Sequence, residues 1–77
     1  VLAELERLAA EGHKELTIGG KISVWRQRRL LTQAELAGKV GTTRQMIGQY
    51  ELDRTVPSAT RLRQIADALG ISVADLI

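Results

Sequence analysis

The sequence predicts an all-α fold, on three observations. Apolar residues recur at helical spacing, and no stretch alternates with period two for long enough to make a strand. Ser and Thr residues stand at intervals, each followed three positions later by a side chain that can close a helix start. Glycines stand where those helices would stop. With 77 residues, 44% hydrophobic and 26% charged, the chain has room for one small packed domain and an appended helix. It contains no cysteine, so neither a disulfide frame nor a zinc knuckle supports the core.

Each element has its own justification. Leu2, Leu5, Leu8 and Ala9 share a face and glutamates occupy the rest, which predicts an amphipathic helix over 2–11. One heptad of leucine is too little for a coiled coil, and so short a helix is marginal alone in water, so it must dock on something. Residues 1–16 are therefore read as a separate helix and linker ahead of a domain over 17–77. A second helix is expected over 19–29, with Ile22 and Trp25 facing inward. Thr32-Gln33-Ala34-Glu35 fits a capping box and opens a helix over 32–40 that Gly41 ends. Thr42-Thr43-Arg44-Gln45 fits a second box, opening a helix over 43–51. Ser58, after Pro57, starts a helix over 58–69 whose Leu62, Ile65, Ala66 and Leu69 form one stripe, with Gly70 as its stop. Ser72-Val73-Ala74-Asp75 is a looser box that starts a last turn at 73.

The net charge of +2 conceals an uneven distribution. Residues 1–20 carry two basic side chains against four acidic ones, a net −2. Residues 21–63 carry nine against three, a net +6, and residues 64–77 return to −2. A basic middle between acidic ends fits a surface that meets a polyanion. With Trp25 and Tyr50 the only aromatic rings, a stacking platform for single-stranded nucleic acid is not expected. Nor is a membrane protein: no apolar run approaches a span, and the start lacks the order of a signal peptide, which makes the cytoplasm the expected location.

Catalysis finds little support in the residue inventory. His13 is the single histidine, and neither a second base nor a metal-ligand cluster accompanies it. Gly19-Gly20-Lys21 matches only the end of a phosphate-binding loop, because Glu15 stands at its first glycine and Ile22 at its final hydroxyl. Neither cofactor nor metal is expected.

The informative window is 33–52, QAELAGKVGTTRQMIGQYEL. Ala37 is small where two helices approach, Gly41 makes the turn, and Leu36, Val40, Ile47 and Tyr50 point to a shared core, as a helix-turn-helix requires. With Ile47 and Tyr50 turned inward, Arg44, Gln45, Gly48 and Gln49 occupy the opposite face. Arg can pair bidentately with guanine and Gln with adenine, each discriminating by about 1–3 kcal/mol. Helix N-termini at Thr32 and Thr42, the Thr43 hydroxyl, Arg54 and Lys39 are candidates for phosphate contact.

On these residues the chain resembles the lambdoid phage repressor and Cro-type, XRE-like helix-turn-helix family. The likeness covers about residues 18–77, through Ile18-Gly19, Trp25-Arg26, Leu31-Thr32-Gln33, Glu35-Leu36-Ala37, Gly41-Thr42-Thr43, Ile47, Glu51, Pro57-Ser58 and Ile65 to Ser72. It implies a five-helix lambda-repressor-like domain, here with an additional N-terminal helix. It also implies a homodimer on palindromic double-stranded DNA, with the helix at about 43–51 in the major groove. By resemblance, Arg44, Gln45 and Gln49 take base-contacting positions and Gln33 a phosphate-contacting one. Arg26 and Glu51 take positions the family often joins in a partly buried ion pair, and Leu76 and Ile77 lie near the expected dimer contact.

Three positions depart from the family pattern. Leu30 stands where a glycine commonly ends the first core helix, Asp53 where a glycine often follows the recognition helix, and Leu52 where a small polar residue often meets phosphate. The implied function is a sequence-specific transcriptional regulator, a repressor. The alternative is an antitoxin or a transcription coactivator acting through protein contacts of residues 1–16.

Overall fold

The computed structural model describes residues 16–77. Among these residues lie four α-helices and no strand: α1 Ile18–Arg28, α2 Gln33–Val40, α3 Arg44–Glu51 and α4 Ala59–Leu69, followed by a 3₁₀ turn over Val73–Asp75. The all-α class stands. The implied fifth helix is reduced to that single 3₁₀ turn because Leu76 must drop into the core directly after it. The helix expected over 2–11 lies outside the described residues.

Helices of eight residues do not persist alone in water, and this chain secures both ends of each. Every N-terminus is capped by a hydroxyl: Thr17 accepts from the Gly20 N–H, Thr32 from Glu35, Thr43 from Met46 and Ser58 from Arg61. At the opposite ends, four residues take left-handed φ: Leu30 at 59°, Gly41 at 84°, Asp53 at 58° and Gly70 at 70°. Each stop is closed by the same six-to-one backbone bond, Leu31 to Arg26, Thr42 to Ala37, Arg54 to Gln49 and Ile71 to Ala66. Gly41 and Gly70 adopt this conformation freely, whereas Leu30 and Asp53 carry a Cβ there.

Helix boundaries fall within one residue of the sequence reading. Helix α1 starts one residue earlier, at Ile18, because Thr17 supplies a cap. The cap of α3 is Thr43 rather than Thr42, since the Thr42 N–H is still committed backward to Ala37. Gln45 therefore falls at the second helical position, and the expected capping box does not form there.

The core is one cluster drawn from every element: Ile22 of α1, Leu36, Ala37 and Val40 of α2, Ile47 and Tyr50 of α3, Leu62, Ile65, Ala66 and Leu69 of α4, and Leu76. Trp25 and Leu31 pack on its margin, half-buried, rather than inside it. The Arg28 guanidinium lies 4.6 Å over the Trp25 ring. Leu76 is fully buried in its own domain and is unavailable to a dimer contact, which corrects its expected role; Ile77 is exposed. Among the described residues, no helix is long and apolar enough to cross a membrane.

Leu30 is 89% exposed, so its side chain brings little packing to offset a left-handed backbone that costs a non-glycine residue about 1 kcal/mol. Leu30→Gly relieves this strain, less the greater freedom glycine has in the unfolded chain. The melting temperature is expected to rise by about 2–4 °C, measured by circular dichroism.

Candidate nucleic-acid interface

Two buried side chains, Ile47 and Tyr50, seat α3 on the core. The helical period then turns Arg44 and Gln45 fully outward, with Gly48 and Gln49 half-exposed beside them. The helix begins at Thr43, whose hydroxyl is exposed, and it has no acidic residue in its first turn. Its positive dipole end is thus left without a counter-charge of its own.

The start of α2 differs. Glu35 closes the capping box there: its Oε1 accepts from the Thr32 N–H at 2.9 Å, and the Thr32 hydroxyl accepts from the Glu35 N–H at 3.0 Å. The bond from the Thr32 N–H, and then that to its hydroxyl, hold the Glu35 carboxyl below its ordinary value. A carboxylate therefore already stands at the Thr32 end of α2, so Thr43 is the better placed of the two capped starts for a phosphate.

Position and angle of α3 are set by the Arg26 side chain. Arg26 donates from Nε to Glu51 Oε2 at 2.6 Å, from Nη2 to Oε1 at 3.2 Å, and from Nη1 to the Leu31 carbonyl at 2.8 Å. The side chains of Arg26 and Glu51 are 14% and 6% exposed, so the implied ion pair is present and partly buried. Gln33 joins it, donating from Nε2 to Glu51 Oε1 at 3.0 Å. The carboxamide assigned to phosphate thus lies against α3, and a Cβ built on Gly48 would sit 3.8 Å from Gln33 Nε2.

A second bridge, not foreseen from the sequence, anchors the far end of α3. The Asp53 carboxylate accepts from the Thr17 hydroxyl at 2.7 Å and from the Gly19 N–H at 3.2 Å. Gly19 is required at this approach, because a Cβ there would run into the Tyr50 carbonyl oxygen. Polar residues at 17 and 53 offered no local signal of this contact, since the partners lie 36 residues apart.

The remaining candidates separate. Arg54 is exposed, and its N–H bonds to the Gln49 carbonyl, which holds it at the end of α3. Lys39 borders a shallow groove with Val40, Gln64, Asp67 and Ala68, between α2 and α4, and is not brought to α3. Thr42 is half-buried in the turn. Met46, unassigned from the sequence, is 39% exposed on the flank of α3, and Leu52 is 64% exposed just beyond it. His13 and the candidate partner surface at 1–16 fall outside the described residues, apart from Leu16, which is exposed.

Residues 22–76 match the helix-turn-helix family HTH_3. The chain is 39% identical over 62 residues to the immunity repressor protein of Bacillus phage phi105, spanning 80% of this chain and 43% of that protein. It is 35% identical over 74 residues to endothelial differentiation-related factor 1 of Homo sapiens, spanning 92% of this chain and 50% of that protein. The chain therefore spans about half the length of the curated relatives it matches. Its fold also matches the P22 c2 repressor protein, solved in complex with synthetic operator 9T, at a TM-score of 0.77 and 28% identity, covering 82% of this chain and 96% of that one.

Arg26→Ala leaves the nearly buried Glu51 carboxylate without its cation, and chemical denaturation should show a loss of about 3–5 kcal/mol. Glu35 behaves differently. Because its folded value is lowered, its contribution is complete at neutral pH and disappears as the pH falls through that value. Thr32→Ala removes the hydroxyl bond and keeps the backbone one, so the Glu35 midpoint, followed by NMR titration, should move upward part of the way toward 4.5.

Proposed function

The chain belongs to the helix-turn-helix family HTH_3, a non-enzymatic one, and from that membership we propose a sequence-specific transcriptional regulator of the repressor type. Double-stranded DNA is its partner, and α3 is its recognition helix. The observation that carries the reading is the division of α3: Ile47 and Tyr50 are buried while Arg44, Gln45 and Gln49 gather on the side turned away from the core. Two glutamines and an arginine on one exposed face have the donors and acceptors to read adenine and guanine edges in the major groove. The fold likeness to the P22 c2 repressor, solved in complex with a synthetic operator, supports double-stranded DNA as the partner.

Backbone contacts fall to the groups near the ends of α3. Thr43 offers its hydroxyl beside free amides at the helix start, and Arg54 offers an exposed cation beyond its end. Thr32 and Thr42 contribute less, the first because Glu35 occupies its amide and the second because its own N–H closes the turn. Lys39, beside Asp67 in the groove with α4, adds only long-range attraction. A homodimer on an inverted repeat, with half-sites about one helical turn apart, completes the proposal by its likeness to the repressors. The division into a 1–16 segment and a 17–77 reading domain belongs to the same proposal.

A second reading is favoured by one observation. The match to endothelial differentiation-related factor 1 spans 92% of the chain and so enters residues 1–16, whereas the match to the phage repressor spans 80%. On that reading, the acidic 1–16 segment contacts another protein and the domain serves as an antitoxin or coactivator module.

Selection from random duplex DNA separates the two. A regulator enriches a palindrome; Gln45→Ala then relaxes preference at one base pair of each half-site, while Arg54→Ala weakens all sites alike and reduces the salt slope by about one. Equal binding to every duplex would favour the interaction module.

A further inference from the structure

Helix α1 carries Lys21, Arg26 and Arg28 and no acidic residue. Arg26 is committed to Glu51 and the Leu31 carbonyl, and the other two cations lie on the opposite flank of the helix. Gly19 and Arg26 fall on the side of Ile22 that meets α3, while Lys21, Trp25 and Arg28, at i, i+4 and i+7, fall on the other. Val24 lies between Lys21 and Arg28. It is half-buried, yet it is not one of the half-buried apolar side chains that pack on the core among the described residues. The flank therefore presents a cation, an apolar residue and a cation, with the Arg28 guanidinium stacked on Trp25. Lys21 Nζ donates to the Ile77 carbonyl at 2.8 Å, which leaves its charge without a counter-ion, and among the described residues no carboxylate pairs with Lys21 or Arg28.

The sequence ahead of α1 carries the complement. In the helix expected over 2–11, Glu4, Leu8 and Glu11 stand at i, i+4 and i+7: an anion, an apolar residue and an anion. Run antiparallel, that order mirrors Lys21, Val24 and Arg28. Glu11 then meets Lys21, Leu8 meets Val24 and Glu4 meets Arg28, all in one register. A short hairpin produces that register. Residues 12–16 separate the expected helix from the Thr17 cap of α1, a length within the roughly 2–8 residues that join neighbouring helices. Gly12 follows Glu11 directly, where helix stops favour glycine. A helix over 2–11 would be about 15 Å long, close to the length of α1.

We propose that residues 1–15 of this chain dock on the outer flank of α1 as an antiparallel hairpin, with Leu8 over Val24 and with Glu11 and Glu4 paired to Lys21 and Arg28. Docked there, the acidic segment is held on the side of α1 turned away from α3. This docking is independent of what α3 reads. It differs from the second reading above, in which the same segment contacts another protein.

Charge exchange tests the register. Lys21→Glu and Glu11→Lys should each lower the melting temperature by about 2–4 °C, and the double variant should return it toward wild type; losses that simply add would overturn the pairing. A nitroxide label tests the docking itself. The chain has no cysteine, so Ala3→Cys gives a single attachment point. On the full chain, the label should broaden the amide signals at the Arg28 end of α1 more than those of α3. A maximum on another element, or no selective broadening, would overturn the docking. A one-to-one mixture of labelled chain with isotope-labelled, nitroxide-free chain should show no broadening; broadening of α1 there would make a second copy the source of the segment and overturn the intramolecular assignment. None of these outcomes bears on the reading of α3, which site selection tests separately.

Discussion

The Arg26 guanidinium bonds two separate parts of the chain at once, and the placement of α3 follows from that. Through Nε and Nη2 it holds the Glu51 carboxylate near the end of α3, and through Nη1 it holds the Leu31 carbonyl in the turn between α1 and α2. Glu51 passes the constraint on to Gln33. A carboxylate this nearly buried is tolerable only because its oxygens are both occupied by charged or amide donors. No buried side-chain polar atom is left unpaired among the described residues. The same network therefore serves stability and aim, since α3 cannot rotate without stranding a buried charge.

Around that link, the fold is secured mostly by punctuation. Helices of eight to eleven residues have little stability of their own, and a core of eleven buried apolar residues is small. Four hydroxyl caps and four left-handed stops satisfy the end groups that such short helices leave in high proportion. Asp53 shows how one stop can take on a second task. Its carboxylate reaches Thr17 and the Gly19 N–H, so a residue that ends α3 also helps begin α1. At Leu30 the structure offers no such compensation, and the backbone there stays strained.

Much of this was legible in the residues. The inward stripe of α4, the capping box at Thr32 and Glu35, and the stops at Gly41 and Gly70 are local patterns, each set by neighbours within a turn or two. The outward set Arg44, Gln45 and Gln49 was equally legible, because burying Ile47 and Tyr50 leaves a helix only one opposite side. Thr42 against Thr43 was not, since two adjacent hydroxyls are both good caps and the choice depends on where the preceding turn closes. Nor is the burial of Leu76 legible, since a single apolar residue after a short turn has no periodicity to show which way it faces.

By itself, then, the sequence determined an all-α chain with a helix-turn-helix over 33–52 and a polar outward face on its second helix, because hydrophobic period and end-capping act over a few residues. Only the tertiary structure decided what lies against that helix. Gln33 beside Gly48, Glu51 bridging Gln33 and Arg26, and Asp53 capping α1 all join residues 15 or more positions apart. Such contacts depend on how helices cross in space, and a hydrogen bond between polar side chains leaves no periodic trace in the chain that makes it.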